Sequence, residues 1–252
     1  MRRLNMMLVT MTAAVALLAT AEVTSAATFS VNPTQIYLSG RTTSSLLTLR
    51  NDSTEELRFQ LSAFQWTQSA GGEIELNATQ DVVFFPALLT LKPGEERRIR
   101  VGSTVAPGAT EKTYRIFVEE LPPPAASSEG SEVRVLTKMG VPIFIRPAKE
   151  SASAALAALG LRDGAVHFSV ANTGTVHFVP QQVKVRGLTA AGQAVFEQEL
   201  ASWYILTGGR RDFDVAIAAA DCGRIESVVV EVGIGSNVLR ERVQTPGGGC
   251  KR

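Results

Sequence analysis

The hydrophobic pattern is most regular between Glu132 and Pro147, EVRVLTKMGVPIFIRP. Val133, Val135, Met139, Val141, Ile143 and Ile145 are apolar at alternate positions, with Thr137 the one polar exception. A period of two predicts a β-strand with one apolar face. At roughly 3.3 Å per residue, a strand from Val133 to Ile145 would run about 40 Å, about twice the mean strand length. A small sandwich cannot cover such a stripe with its own facing sheet. Pro142 lacks the N–H that a central strand needs, which predicts a place at a sheet edge. An edge strand with surplus apolar side chains invites aggregation unless a partner occupies it.

Shorter runs of the same kind fill the rest of the chain. Upstream, Phe29 to Ile36 (broken at Pro33), Ser45 to Arg50, and Leu57, Phe59 and Leu61 read as strands. Phe64 and Trp66 resume the alternation on the other parity, which predicts a bulge or a shift of face. Ala87 to Leu91, Arg98 to Val101 and Tyr114 to Val118 follow. Turn chemistry separates them at Asn51-Asp52-Ser53, Gly71-Gly72, Lys92-Pro93-Gly94-Glu95 and Pro107-Gly108. Pro122 to Glu132 is a short polar loop, and no amphipathic helix is evident between the leader and Pro147. Strands at about ten-residue spacing indicate an all-β sandwich.

Beyond Pro147 the alanine-rich stretch 148–160 reads as a linker or a short helix, and periodicity does not decide between them. Val166 to Val170, Val179 to Val185, Ala194 to Leu200, Trp203 to Leu206, Phe213 to Ile217, Ser227 to Gly233 and Val238 to Val243 predict a second, smaller β-domain. Asn172-Thr173-Gly174 reads as a hairpin-type turn.

The N-terminus changes the compartment. Arg2 and Arg3 precede an apolar run and then Thr24, Ser25, Ala26 and Ala27, the order of a cleavable export signal. Thr10, Thr12 and Thr20 leave that run short of the roughly 20 residues of a membrane span. The expected organisation is therefore a leader over 1–26, a first β-sandwich domain over 27–147 and a second β-domain over 148–252. Without Arg2, Arg3 and Glu22, the 25 basic and 24 acidic residues become 23 of each. A neutral mature chain has no global field to draw it to nucleic acid. The cysteines Cys222 and Cys250 meet oxidants in an exported chain, which predicts a disulfide. They lack the CxxC spacing and histidine neighbours of a metal or redox pair.

The motif order then carries a resemblance. The Phe29–Gly40 opening with Pro33, LKPGEERRIRV (91–101), YRIFVEELPP (114–123), the long strand ending FIRP (144–147) and VANTGTVHF (170–178) resemble the periplasmic pilus-assembly chaperones of the chaperone–usher pathway. The short loop before the long strand is similar to the short-loop branch, and YRIF to its archaic class. The resemblance implies two immunoglobulin-like domains set as a boomerang. It implies pilus subunits and an outer-membrane usher as partners, and neither ATP nor a metal. By position, Val133, Val135, Thr137 and Met139 match the donor residues that complete a subunit's sandwich, with Val141 a fifth candidate. A free chaperone would have the same edge available to a second copy.

One departure bears on mechanism. Better-known members of that family hold the subunit's terminal carboxylate with two basic residues, and the matching places here are Gln35 and Pro142. Arg115 is the first substitute, since it lies on the strand expected beside the donor and faces opposite to Tyr114. A guanidinium clamps a carboxylate through two parallel hydrogen bonds. Lys138 and Arg100 come second. Tyr114 reads as a tyrosine corner.

Two rival readings are weaker. His167 and His177 flank a turn that could bring them together, but no acidic or cysteine partner is near in sequence, and no GxSxG, P-loop or HExxH occurs. An exported two-domain adhesin would need an aromatic-lined loop, and Trp66 and Trp203 both read as core residues. Protection of a co-expressed subunit from proteolysis separates a chaperone from an adhesin.

Overall fold

The computed structural model describes residues 28–69, 71–124, 135–245 and 250. The leader expected over 1–26, most of the loop expected over Pro122 to Glu132, and the donor candidate Val133 lie outside the described residues.

The first sandwich packs two sheets. One has the order β1 (Phe29–Asn32), β3 (Ser44–Asn51), β8 (Glu96–Ser103), β6 (Val82–Phe85). The other runs β2 (Ile36–Leu38), β10 (Lys138–Ile145), β9 (Lys112–Leu121), β4 (Leu57–Gln68), β5 (Ile74–Ala78), with β7 (Leu88–Leu91) also against β4. Between them lie Leu47, Leu49, Leu57, Phe59, Ile99, Val101, Tyr114, Ile116, Val118, Val141 and Ile143, all buried. Each comes from one parity of its strand, as alternation requires.

The second sandwich sets β11 (Ala154–Arg162), β12 (Ala165–Asn172) and β15 (Arg210–Ala216) against β14 (Ala194–Leu200), β13 (Gln182–Leu188), β16 (Ser227–Ile234) and β17 (Asn237–Gln244). Its core is mainly valine and phenylalanine from β12, β13, β15 and β16. The alanine-rich stretch left open between linker and helix contributes strand β11. Ala154 and Leu156 pack against that core, and pairing with β12 shifts register between Ala157 and Gly160. Trp203 to Leu206 forms only a single bridge, Phe178 to Ile205, rather than a strand.

The two expected asparagine turns are built alike. Asn51 Nδ2 donates to the carbonyls of Glu55 and Leu91, and Asn172 Nδ2 to those of Val176 and Ile205. Both side chains are buried yet satisfied. Asn172-Thr173-Gly174 is not a hairpin, however. β12 pairs with β11 and β15, and the chain after Gly174 crosses to the opposite sheet. Gly174 is required by close approach, because a Cβ there would overlap the Ser151 carbonyl.

Cys222, at the end of a short helix (Ala219–Cys222), is bonded to Cys250, 28 residues away. Replacing both with serine is expected to cost about 3–4 kcal/mol through the freed loop of the unfolded chain. The midpoint of urea unfolding checks this.

Candidate functional site

The long alternating stripe is divided in two by the structure. Ile143, Ile145 and Val141 (1% exposed) belong to the core of the first sandwich. Met139 is half-buried against it, Thr137 is exposed and Val135 is 69% exposed. Strand pairing begins only at Lys138, so the regular strand is eight residues long rather than the thirteen expected from Val133. Backbone contact with β9 continues to Thr137, whose carbonyl accepts from Glu120 N at 2.9 Å. Val141, the fifth donor candidate, is thus already committed to its own sandwich, opposite Ile116. The apolar side chains left over are Val135 and its neighbour Leu136, which is also exposed.

The edge position inferred from Pro142 holds for part of the strand. β9 pairs the whole of β10, whereas β2 pairs it in parallel only over Ile143–Ile145. Among the described residues, Lys138 to Pro142 therefore have no strand on their second side.

The even-numbered residues of β10 face outward, opposite the odd-numbered residues of β9. Lys138 sits across from Glu119, Gly140 from Phe117 and Pro142 from Arg115. A Cβ at Gly140 would come within 2.9 Å of the Phe117 ring, so glycine lets that ring lie over the strand. Phe64 and Trp66, on β4, belong to this outer face. The parity change along β4 occurs without a bulge, since its register with β9 is unbroken. The physical reason is a second covered surface. Trp66 and Phe144 are fully buried by Leu206 and Tyr204 of the second sandwich.

Arg115 lies at the mouth of this junction. Its guanidinium sits 4.1 Å from the centre of the Trp66 ring, a cation–π contact. Its Nε is buried without a hydrogen-bond partner, and among the described residues no carboxylate pairs with it. Burial pulls its pKa below the ordinary arginine value, partly offset by the Tyr204 phenol. A guanidinium so placed still carries its charge. The other two cations are differently situated. Lys138 pairs with Glu119 at 2.9 Å. Arg100 lies in the opposite sheet, paired with Leu46 and Phe85, and donates to Ser44 Oγ at 3.0 Å. Parity had placed Arg115 correctly, but which sheet would hold Arg100 could not be read from its own strand.

Around Arg115 the sandwiches are joined by contacts that local sequence patterns do not reveal. Glu111, fully buried, accepts from His177 N at 2.9 Å, and its Oε2 lies 2.6 Å from His177 Nδ1. The His177 ring stacks on Phe144 with centroids 3.7 Å apart. Gln68 Nε2 donates to the Tyr204 carbonyl at 2.7 Å, and Leu206 N donates to Gln68 Oε1 at 2.8 Å. Gln35, in the place of an expected cation, donates to the Tyr204 hydroxyl and accepts from Tyr37 at 2.7 Å. The two histidines are not brought together, since His167 pairs with Asp214.

Two further expectations are corrected. Trp203 is 45% exposed and lies edge-on to Tyr204 rather than in a core. The Tyr114 hydroxyl donates to the Asp81 carboxylate at 2.8 Å, so it ties β9 to the turn before β6 instead of forming a tyrosine corner on nearby backbone. Burial, then Asp81, raises its pKa.

Residues 28–150 match the family described as pili and flagellar-assembly chaperone, PapD N-terminal domain. The first sandwich belongs to that family. The PapD-like fold also extends over the second sandwich. A chain of the CsuC–CsuE chaperone–tip subunit pre-assembly complex, from the archaic chaperone–usher Csu pili of Acinetobacter baumannii, superposes with a TM-score of 0.59 at 17% identity, over 85% of this chain and 98% of that one. The class 5 fimbriae chaperone CfaA gives 0.56 at 16% identity, over 87% and 100%. A chain from the Salmonella enterica SafA pilin–SafB chaperone complex gives 0.56 at 13%, over 88% and 99%. No curated protein sequence matches the chain. At these identities the likeness is one of fold, and the PapD-like architecture is that of pilus chaperones.

Proposed function

We propose that this chain is a periplasmic chaperone of the chaperone–usher pathway that captures pilus subunits by lending them a strand and delivers them to an outer-membrane usher. The observation that carries the reading is the unfinished strand. Val135 and Leu136 are exposed, Thr137 continues the same stripe, and among the described residues Lys138 to Pro142 have an open side. A subunit lacking one strand exposes a groove in its core. Strand addition would fill it, with main-chain bonds setting the register and alternate side chains entering pockets. Chaperone–pilin pairing is itself a known instance of that mode. Val133, Val135, Thr137 and Met139 are the donors on this reading, with Val133 lying outside the described residues. The work consists of holding a subunit incompletely packed until another subunit's strand replaces the donor. It calls for no cofactor.

Arg115 is the anchor for the subunit's terminal carboxylate. It is half-buried, unpaired by any described acid and level with Pro142 at the end of the open edge. Lys138 already has Glu119 for a partner, and Arg100 lies on the other sheet.

Co-expression with a candidate pilus subunit tests both parts. Arg115→Ala is expected to lower the recovered subunit about tenfold or more, the worth of a charge-assisted hydrogen-bond pair, while Arg100→Ala leaves it within about twofold. The reverse order would move the anchor, and normal recovery with both variants would remove it from this cleft.

A further inference from the structure

We propose that Tyr204, from the second sandwich, donates a hydrogen bond to the same terminal carboxylate that Arg115 receives, so that both sandwiches hold the end of a bound subunit. The inference rests on Arg115 being the anchor, and assigns it a neutral helper from the other side of the cleft.

Trp66 is the shared platform. The Arg115 guanidinium lies on its face, and the Tyr204 ring meets it edge-on with centroids 5.2 Å apart. Phenol and guanidinium are near enough to influence each other's ionisation. A directed run of hydrogen bonds then leaves the phenol its own proton. Tyr37 Oη donates to Gln35 Oε1, and Gln35 Nε2 donates to Tyr204 Oη. A hydroxyl that accepts from an amide keeps its own hydrogen to give. Among the described residues nothing accepts it.

Protonation is secure as well. Burial, then the neighbouring Tyr37, raises the Tyr204 pKa, with Gln35 and Arg115 acting the other way, so the phenol is a donor at neutral pH.

The need follows from what is missing. Gln35 and Pro142 provide no charge, and Arg146, which lies over the Tyr37 ring, already has Glu150 for a partner, so Arg115 is the cation at the Trp66 platform that no described acid pairs. A carboxylate's two oxygens offer about four acceptor sites, and the Arg115 guanidinium can fill two with a pair of parallel N–H donors. A carboxylate taken out of water with free lone pairs is costly, so a further donor matters. Gln35 acts on this view as a positioning residue, holding the phenol where a cation would otherwise stand. Gln68, bonded to the Tyr204 carbonyl and to Leu206 N, braces the same segment from the first sandwich.

An N-acetylated decapeptide of alternating valine and serine, made with a free carboxylate or a carboxamide end, serves as the probe. Each form is titrated into the intact chain by calorimetry, and the ratio of the two affinities is the readout. Wild type is expected to prefer the acid by about tenfold or more. Tyr204→Phe should shrink that preference by about three- to tenfold, the loss falling on the acid peptide, and Gln35→Leu by a smaller factor. Arg115→Ala should abolish the preference. If Tyr204→Phe keeps the wild-type ratio while Arg115→Ala loses it, the anchor stands and Tyr204 has no part in it. If wild type binds both peptides equally, or neither, the anchor reading fails and this inference with it.

Discussion

Val141→Asp is expected to unfold the first sandwich, while Val135→Asp leaves it folded and abolishes subunit capture. The same substitution at two places six residues apart on one alternating stripe should give opposite phenotypes. Val141 is enclosed by its own fold, opposite Ile116 between the two sheets. A carboxylate there has no cation or donor in reach of the apolar core. The cost, about 4 kcal/mol or more, approaches the whole stability of a small domain, about 5–15 kcal/mol. Val135 touches water in the free chain, so a charge there should change stability by no more than about 0.5 kcal/mol. Its penalty comes on entering the subunit's groove, where an unpaired charge should weaken capture about a hundredfold or more. Thermal melting and co-purification separate the two effects. Wild-type capture by Val135→Asp would end the donor assignment. A melting loss at Val135 matching that at Val141 would mean that the whole stripe is packed within its own sandwich.

The boundary between those two halves could not be read from the sequence. Period two says that Val135 and Val141 share a face, and it is silent on how far the facing sheet extends. That depends on Leu47, Leu49 and Ile99, which reach the core from strands far away in sequence. The same limit explains the other departures. Parity placed Arg115 outside and Tyr114 inside, because neighbouring positions on a strand must alternate. It could not say that Arg100 would be carried on the opposite sheet. Alanine has too little preference to settle 148–160, and β11 exists because β12 offers it an edge. Phe64 and Trp66 did carry a signal in their reversed parity, and the cause is not a bulge: Trp66 lies under a second covered surface, where the other sandwich packs, and Phe64 meets Phe117 on the same face. Glu111 and His177 lie 66 residues apart, and neither one's neighbours mark it as half of a buried pair.

That second covered surface gives the other large effect expected. Phe144→Ala should cost about 3–5 kcal/mol, as truncation of a buried phenylalanine does elsewhere, and the loss should fall on the coupling between sandwiches. Phe144 is fully buried although it lies on the outer face of its sheet, like Pro142 and Gly140. Its neighbours are Trp66 and Tyr37 from its own sandwich, and His177, Tyr204 and Leu206 from the other. It belongs to neither main core, so each sandwich retains its own buried set when the ring is removed. The polar links at Glu111–His177 and Gln68–Leu206 remain, but they lose the packed rings that shield them from water. Calorimetry should therefore show one concerted transition in wild type and two in the variant, with Trp66 emission shifted to the red before either. A single transition at the wild-type temperature would mean that the ring cluster fills space without coupling the sandwiches. In that case Arg115 and Tyr204 could not be held at a fixed separation by it, and a carboxylate site spanning the two would need another brace.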